Sequence, residues 1–244
     1  MRRERHGRIA WLFAAMLLGI ASLSGAAAAQ PRITIRIAHA DPADPYVAQA
    51  QAVTFKALVE AGSGGRITVQ IYPAGQLGGE REYVEAVNLG TIEMGLASGV
   101  VSGFFREAMV FDIPYLFPSE AVAWKVLDGP FGQKLSELLA QKTNMINLGY
   151  GEVGFRNFTN NVRPIRSPDD LRGLKIRVME TPIYIRLVRA LGASPTPIAW
   201  PEVYNALNQG VVDGQENPVS TIDYAKLYEV QKYLTLDGHS FGVD

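Results

Sequence analysis

The sequence predicts an α/β fold in two units with a cleft between them. Segments with strand and helix periodicity alternate over residues 33–97 in β-α-β-α-β order, and a second alternation begins near Glu152. No internal repeat or low-complexity linker separates the two stretches. Alternation of this kind argues for parallel sheets with helical crossovers, and a cleft between two such units is a preferred ligand site. At 244 residues the chain is long enough for one large domain or two small ones with a real core. Its composition, 48% hydrophobic and 19% charged, is that of a globular α/β protein.

Taken in order, Ile33, Ile35 and Ile37 alternate with Thr34 and Arg36, which is a strand period. Asp44 and Pro45 open a helix to Ala61, broken by Gly62-Ser63-Gly64-Gly65. Residues 66–72 read as a second strand, 80–89 as a helix and 91–97 as a third strand. Two helices follow, over 119–127 and 131–142, and the apolar run Met145-Ile146-Asn147-Leu148 reads as a buried strand. Ser167-Pro168-Asp169-Asp170 has Ser at the N-cap, Pro at the first helical position and an acid at the third, so it starts a short helix that Gly173 stops. Residues 174–178 form a strand, Thr181 and Pro182 open a helix to Leu191, and Pro201 opens another to Asn208. Asn217-Pro218 begins a third, with Asn217 as its cap.

Ahead of the first strand lies a different kind of sequence. Arg2, Arg3, Arg5 and Arg8 precede an apolar run over 9–23, and Ala26 to Ala29 offer small-residue cleavage sites. That order is a secretory signal peptide over residues 1–29; the apolar run is short for a membrane span of about 20 residues. Removing it takes four of the 23 basic residues and one of the 24 acids, leaving 19 against 23, a net charge of −4. Nothing basic enough for nucleic acid remains. There are no cysteines, so the exported chain uses no disulfide. With the α/β pattern, this indicates the bacterial periplasm.

Motifs for chemistry are scarce. The histidines are His6, His39 and His239, not at metal-ligand spacing, and there is no H-E-x-x-H or G-x-S-x-G. No cofactor is called for. The Gly62-Ser63-Gly64-Gly65 run lies between helix and strand, whereas a phosphate cradle needs strand, loop, then helix. Residues 41–45 follow the first strand and belong at its carboxyl end, where open parallel sheets bind ligands. His39 there is either a cleft residue or a buried, hydrogen-bonded side chain. Arg156 and Arg177 each offer a planar fork of donors that matches a carboxylate, or each is a surface arginine paired with a neighbouring acid. Trp200 either packs in the core or walls the cleft. Asn217 caps a helix, and a helix N-terminus also suits an anion.

Several motifs occur together, in order: Gly173-Leu174-Lys175-Ile176-Arg177-Val178, Gly192-Ala193-Ser194-Pro195-Thr196-Pro197, Glu202-Val203-Tyr204-Asn205-Ala206-Leu207, and Val212-Asp213-Gly214-Gln215-Glu216-Asn217-Pro218. Tyr72-Pro73-Ala74-Gly75-Gln76-Leu77-Gly78 and Tyr228-Glu229-Val230-Gln231-Lys232-Tyr233-Leu234 accompany them. On these residues the chain resembles the substrate-binding proteins of tripartite ATP-independent periplasmic (TRAP) transporters, of the C4-dicarboxylate-binding type, over residues 32–240.

The resemblance implies a two-lobed, type II periplasmic-binding-protein-like fold, with parallel-rich sheets flanked by helices. Lobe I is expected over 30–152 and lobe II over 153–241, with 242–244 starting a return to lobe I. It implies a non-enzymatic protein that captures a small organic carboxylate between the lobes and delivers it to the integral membrane subunits of a TRAP permease. Arg177 falls on the family's carboxylate-binding arginine, Arg156 on a second, more variable one, Trp200 on the aromatic before the Glu-Val-Tyr helix, and Asn217 on the asparagine of its motif. Ser98 and His39 are assigned as first-lobe contacts. Family chains run on past this point and re-enter both lobes. The stop at Asp244 is therefore expected to leave lobe I incomplete, with its C-terminal part missing. A ligand-sensing periplasmic module, or a periplasmic enzyme acting on an organic acid, are the alternatives.

Overall fold

Strand β1 (Ile33–Ala38) lies between β2 (Ile67–Tyr72) and the two-residue β3 (Met94–Gly95) in a three-stranded sheet. This is seen in a computed structural model that describes residues 31–44 and 46–244; the signal-peptide assignment to 1–29 lies outside the described residues. β1 and β3 run parallel, Ile37 opposite Met94. Successive strand residues point to opposite faces. Ile37 accordingly packs with Ala52 of α1 (Val47–Gly62) and Val69 of β2, while Ala38 joins Tyr83 and Val84 of α2 (Glu80–Asn88). Helices α3 (Glu120–Leu127) and α4 (Pro130–Lys142) complete that second cluster. Ser119 caps α3 by accepting from the Val122 N–H, and Pro130 sits in the first turn of α4.

The larger sheet has the order β6-β5-β7-β4-β8. Its strands are β4 (Glu152–Asn160), β5 (Lys175–Val178), β6 (Ser194–Pro197), β7 (Gly214–Pro218) and β8 (Tyr233–Val243). β5 is parallel to β6 and β7, whereas β4 is antiparallel to both β7 and β8. The sheet is thus parallel-rich with one reversed strand. β4 is that strand because it arrives from the first lobe: Phe155 packs in the first-lobe core and Phe158 in the core under β5 and α5 (Pro182–Ala190). β8 makes the opposite crossing and carries Phe241 into the first-lobe core. The β4–β8 ladder is irregular at the crossing, with register shifts between Glu152 and Gly154 and between Arg156 and Phe158. Gly154 there has φ +108°, open to glycine alone. Such irregularities re-aim side chains beside functional sites.

Several expectations are corrected. The run 145–148 is not a strand: Met145 is buried, but Ile146 and Leu148 are 75% and 70% exposed. Asn144 binds the Asn88 side chain and carbonyl, and Asn147 binds Ser136, so side-chain bonds hold this segment instead of a ladder. The strand expected over 91–97 shrinks to β3. The turn at Pro168–Leu171 is 3-10, though Asp170 does accept from the Ser167 N–H. A 3-10 turn at Trp200–Glu202 precedes α6 (Val203–Asn208). Asn217 lies within β7 and caps nothing; Pro218, the last residue of β7, takes the cap position of α7 (Val219–Tyr224). Pairing of β7 with five residues of β4 outweighs the local helix-start pattern.

Candidate functional site

A cavity of about 60 Å³ opens at the carboxyl end of β1, where it meets β4, β5 and β7. Ser98, Arg156, Arg177, Trp200 and Asn217 line it together. His39 does not. Its side chain is fully buried, and Nε2 pairs with the Gln49 side chain at 2.8 Å. Ala40 and Asp41, which follow it beyond the end of β1, line the cavity instead.

Arg156 and Arg177 are both 2% exposed, but only one is neutralised. Arg156 stands opposite Pro218 across the β4–β7 ladder, so Glu216 is its diagonal neighbour. Arg156 Nε donates to Glu216 Oε2 at 2.5 Å, and Nη2 donates to Oε1 at 3.0 Å and to the Glu216 carbonyl at 2.7 Å. Burial works against both charges. Glu216 nevertheless outweighs it at Arg156, whose pKa is raised, and Arg156 with His239 holds the Glu216 carboxyl at about 2. His239 Nε2 lies 3.4 Å from Glu216, and its Nδ1 pairs with Asp237 at 2.8 Å.

Arg177 has no such acid. Its Nε donates to the Ile198 carbonyl at 2.9 Å, and Nη1 is buried without a hydrogen-bond partner. Burial pushes this guanidinium down to about 10, with Glu216 only partly offsetting it. It lies over the Trp200 ring, 5.6 Å from the centre, which orients the fork. Asn217 is held from both ends. Nδ2 donates to Gln215 at 2.5 Å, leaving Oδ1 to accept from Arg156 at 3.0 Å. The site therefore holds one guanidinium compensated by a carboxylate and one without an acid partner among the described residues.

Sequence reasoning missed the acids. Glu80 at the start of α2 accepts from both the Ser98 N–H, at 2.7 Å, and the Ser98 hydroxyl, at 3.0 Å. Asp41 accepts from the Tyr224 hydroxyl at 2.5 Å, and Tyr224 meets Trp200 edge-on at 6.4 Å. Asp244 also lines the cavity, its carboxyl pushed up to about 8 by burial beside Glu80 and Asp41. The position of Asp41 after β1 was a usable signal; Tyr224 offered none. Among the described residues, no group of three or more histidine or acidic side chains is arranged to hold a metal ion.

Behind the cavity, Tyr184 donates to Asp112 Oδ1 at 3.2 Å, while Asp112 Oδ2 is buried with no partner. Burial lifts this carboxyl from 3.8 to about 7, against the pull of Arg156. Between those values the folded chain keeps a proton that the unfolded chain has lost. Its contribution to stability is thus present below about 3.8 and lost as pH rises towards 7. Glu216 has the opposite sign: depressed from 4.5 to about 2, its contribution is present above 4.5 and lost as pH falls through about 2. Glu80 and Asp244 are raised as well and add to the loss on the neutral side. Asp112→Asn is expected to make the decline from mildly acidic to neutral pH shallower by the slope of one titrating group. Thermal melts across pH for parent and variant measure it; an unchanged slope would show that Asp112 does not titrate there.

With this geometry in place, known proteins match closely. The profile of the family described as bacterial extracellular solute-binding protein, family 7, matches residues 37–243. A solute-binding protein of Verminephrobacter eiseniae is 45% identical over 216 residues, 88% of this chain and 63% of that one. A TRAP periplasmic solute-binding protein from a Polaromonas species, solved with D-erythronate, superposes with a TM-score of 0.82 at 40% identity, covering 87% of this chain and 70% of that one. One from Sulfurospirillum deleyianum, solved with succinate, gives 0.81 at 33% identity, covering 88% and 69%. The chain thus spans a little under two thirds of the Verminephrobacter relative's length.

Proposed function

Because the chain belongs to family 7 of the bacterial extracellular solute-binding proteins, we propose that it captures a small organic carboxylate between its lobes in the periplasm and hands it to a TRAP-type membrane permease. The observation that carries this reading is the asymmetry of the two arginines. A buried guanidinium without an acid is costly unless something pairs with it. Arg156 has Glu216, while Arg177 faces the cavity with Nη1 unsatisfied. A ligand carboxylate supplies the missing partner and accepts charge-assisted bonds from the fork. Asn217, Ser98 and Trp200 then hold and wall the bound acid. Among the described residues, no helix is long and apolar enough to cross a membrane.

The experiment is a thermal-shift screen of organic acids on the purified chain. At a ligand concentration 100 times Kd, binding adds about 2.7 kcal/mol to stability. For a chain of this size that is a rise in Tm of roughly 5–11 °C. A carboxylate should produce it, and the corresponding neutral alcohol or amide should not. Equal shifts from acid and amide would refute the reading.

A further inference from the structure

We propose that the ligand carries a single carboxylate and presents hydroxyl groups at its other end, so that the site takes a hydroxy-monocarboxylate and rejects dicarboxylates. This rests on the carboxylate reading above and extends it to the far end of the ligand.

Charge carries the argument. Arg156 and Arg177 are the two guanidiniums of the cavity. Arg156 is spent on Glu216 and Asn217, through Nε and Nη2. One uncompensated cation is left, enough for one carboxylate. Against it the cavity sets the carboxyl groups of Asp41 and Glu80. An ionised carboxylate only accepts hydrogen bonds, so whatever meets these groups must donate. Glu80 receives both Ser98 bonds on Oε1, which leaves Oε2 without a hydrogen bond among the described residues. Asp41 Oδ1 takes the Tyr224 hydroxyl, and Oδ2 takes only a 3.3 Å bond from the Ala48 N–H. Each keeps acceptor capacity for a hydroxyl of the occupant.

A second ligand carboxylate would find no free cation among the described residues that line the cavity. It would instead sit beside acids of its own charge in a partly desolvated cavity, where like charges cost most. Rejection by an unfavourable charge is as effective a source of specificity as a favourable contact.

Three probes of equal chain length separate the possibilities: erythronate (one carboxylate, three hydroxyls), succinate (two carboxylates, no hydroxyl) and erythritol (hydroxyls only). Titration calorimetry at neutral pH is expected to show erythronate binding at least about tenfold tighter than succinate, with no detectable binding of erythritol. In Glu80→Gln the amide oxygen still accepts from Ser98, while an N–H replaces the free acceptor. The erythronate-to-succinate ratio should then fall about tenfold or more. Succinate binding the parent as tightly as erythronate overturns this inference and leaves the carboxylate reading standing. A ratio unchanged in a folded Glu80→Gln overturns the role given to Glu80 here. If Glu80→Gln does not fold, the parent's ratio alone decides. Erythritol binding as tightly as erythronate, or no binding of either acid, overturns the carboxylate reading and this inference with it.

Discussion

Arg177→Ala is expected to weaken binding of the acid by two or more powers of ten. Charge-assisted hydrogen bonds contribute about 1.5–3 kcal/mol each, and the fork of Arg177 can give two of them to one carboxylate. Since about 1.4 kcal/mol is tenfold in affinity, losing both removes two decades or more. Micromolar binding is about −8.2 kcal/mol in all, so the variant falls to the edge of detection. Arg177→Lys should recover only part of the loss, because an ammonium keeps the charge but not the fork or its stacking on Trp200. Arg172→Ala is the control: that arginine is 73% exposed in its side chain and pairs only with Asp169. Calorimetry on folded variants reads all three. Parent-like affinity in Arg177→Ala would place the carboxylate elsewhere.

The second large effect concerns stability. Glu216→Gln is expected to destabilise the fold by about 3–5 kcal/mol, the usual loss when one partner of a buried ion pair is removed. The amide fills the same space but leaves the Arg156 charge buried and uncompensated, with His239 also losing its contact. Arg156→Met combined with Glu216→Leu should recover much of that loss, since well-packed apolar replacements of a buried pair are often neutral or better. Denaturant unfolding of the single and double variants gives the coupling between the two sites. A loss below about 1 kcal/mol in Glu216→Gln would mean the pair behaves like a surface salt bridge.

The sequence carried the family motifs, and with them Arg177, Arg156, Trp200 and Asn217. It could not tell which arginine was free. That depends on the β4–β7 register, which brings Glu216 beside a residue 60 positions away. Helices were legible where caps and periodicity agreed, as at Ser119 and Pro182. Asn217 misled because Asn-Pro is a sound local helix start, yet β4 was already in place to claim it as strand. β8 escaped notice because Asp237, Gly238, His239 and Ser240 break any apolar alternation; its ladder with β4 makes it a strand. Glu80 reads locally as an acid favouring a helix N-terminus. Its bonds to Ser98 arise only once α2 packs beside β3. Meanwhile Ile146 and Leu148 show that an apolar run without a pairing edge need not become a strand.

The most direct test is a crystal structure of the chain with its tightest-binding acid. The expected result is a carboxylate with oxygens about 2.7–2.9 Å from the terminal nitrogens of Arg177, with the Arg156–Glu216 pair intact behind it. A carboxylate bound away from Arg177, or one that displaces Glu216 from Arg156, would contradict the assignment of Arg177 as the free cation of the site.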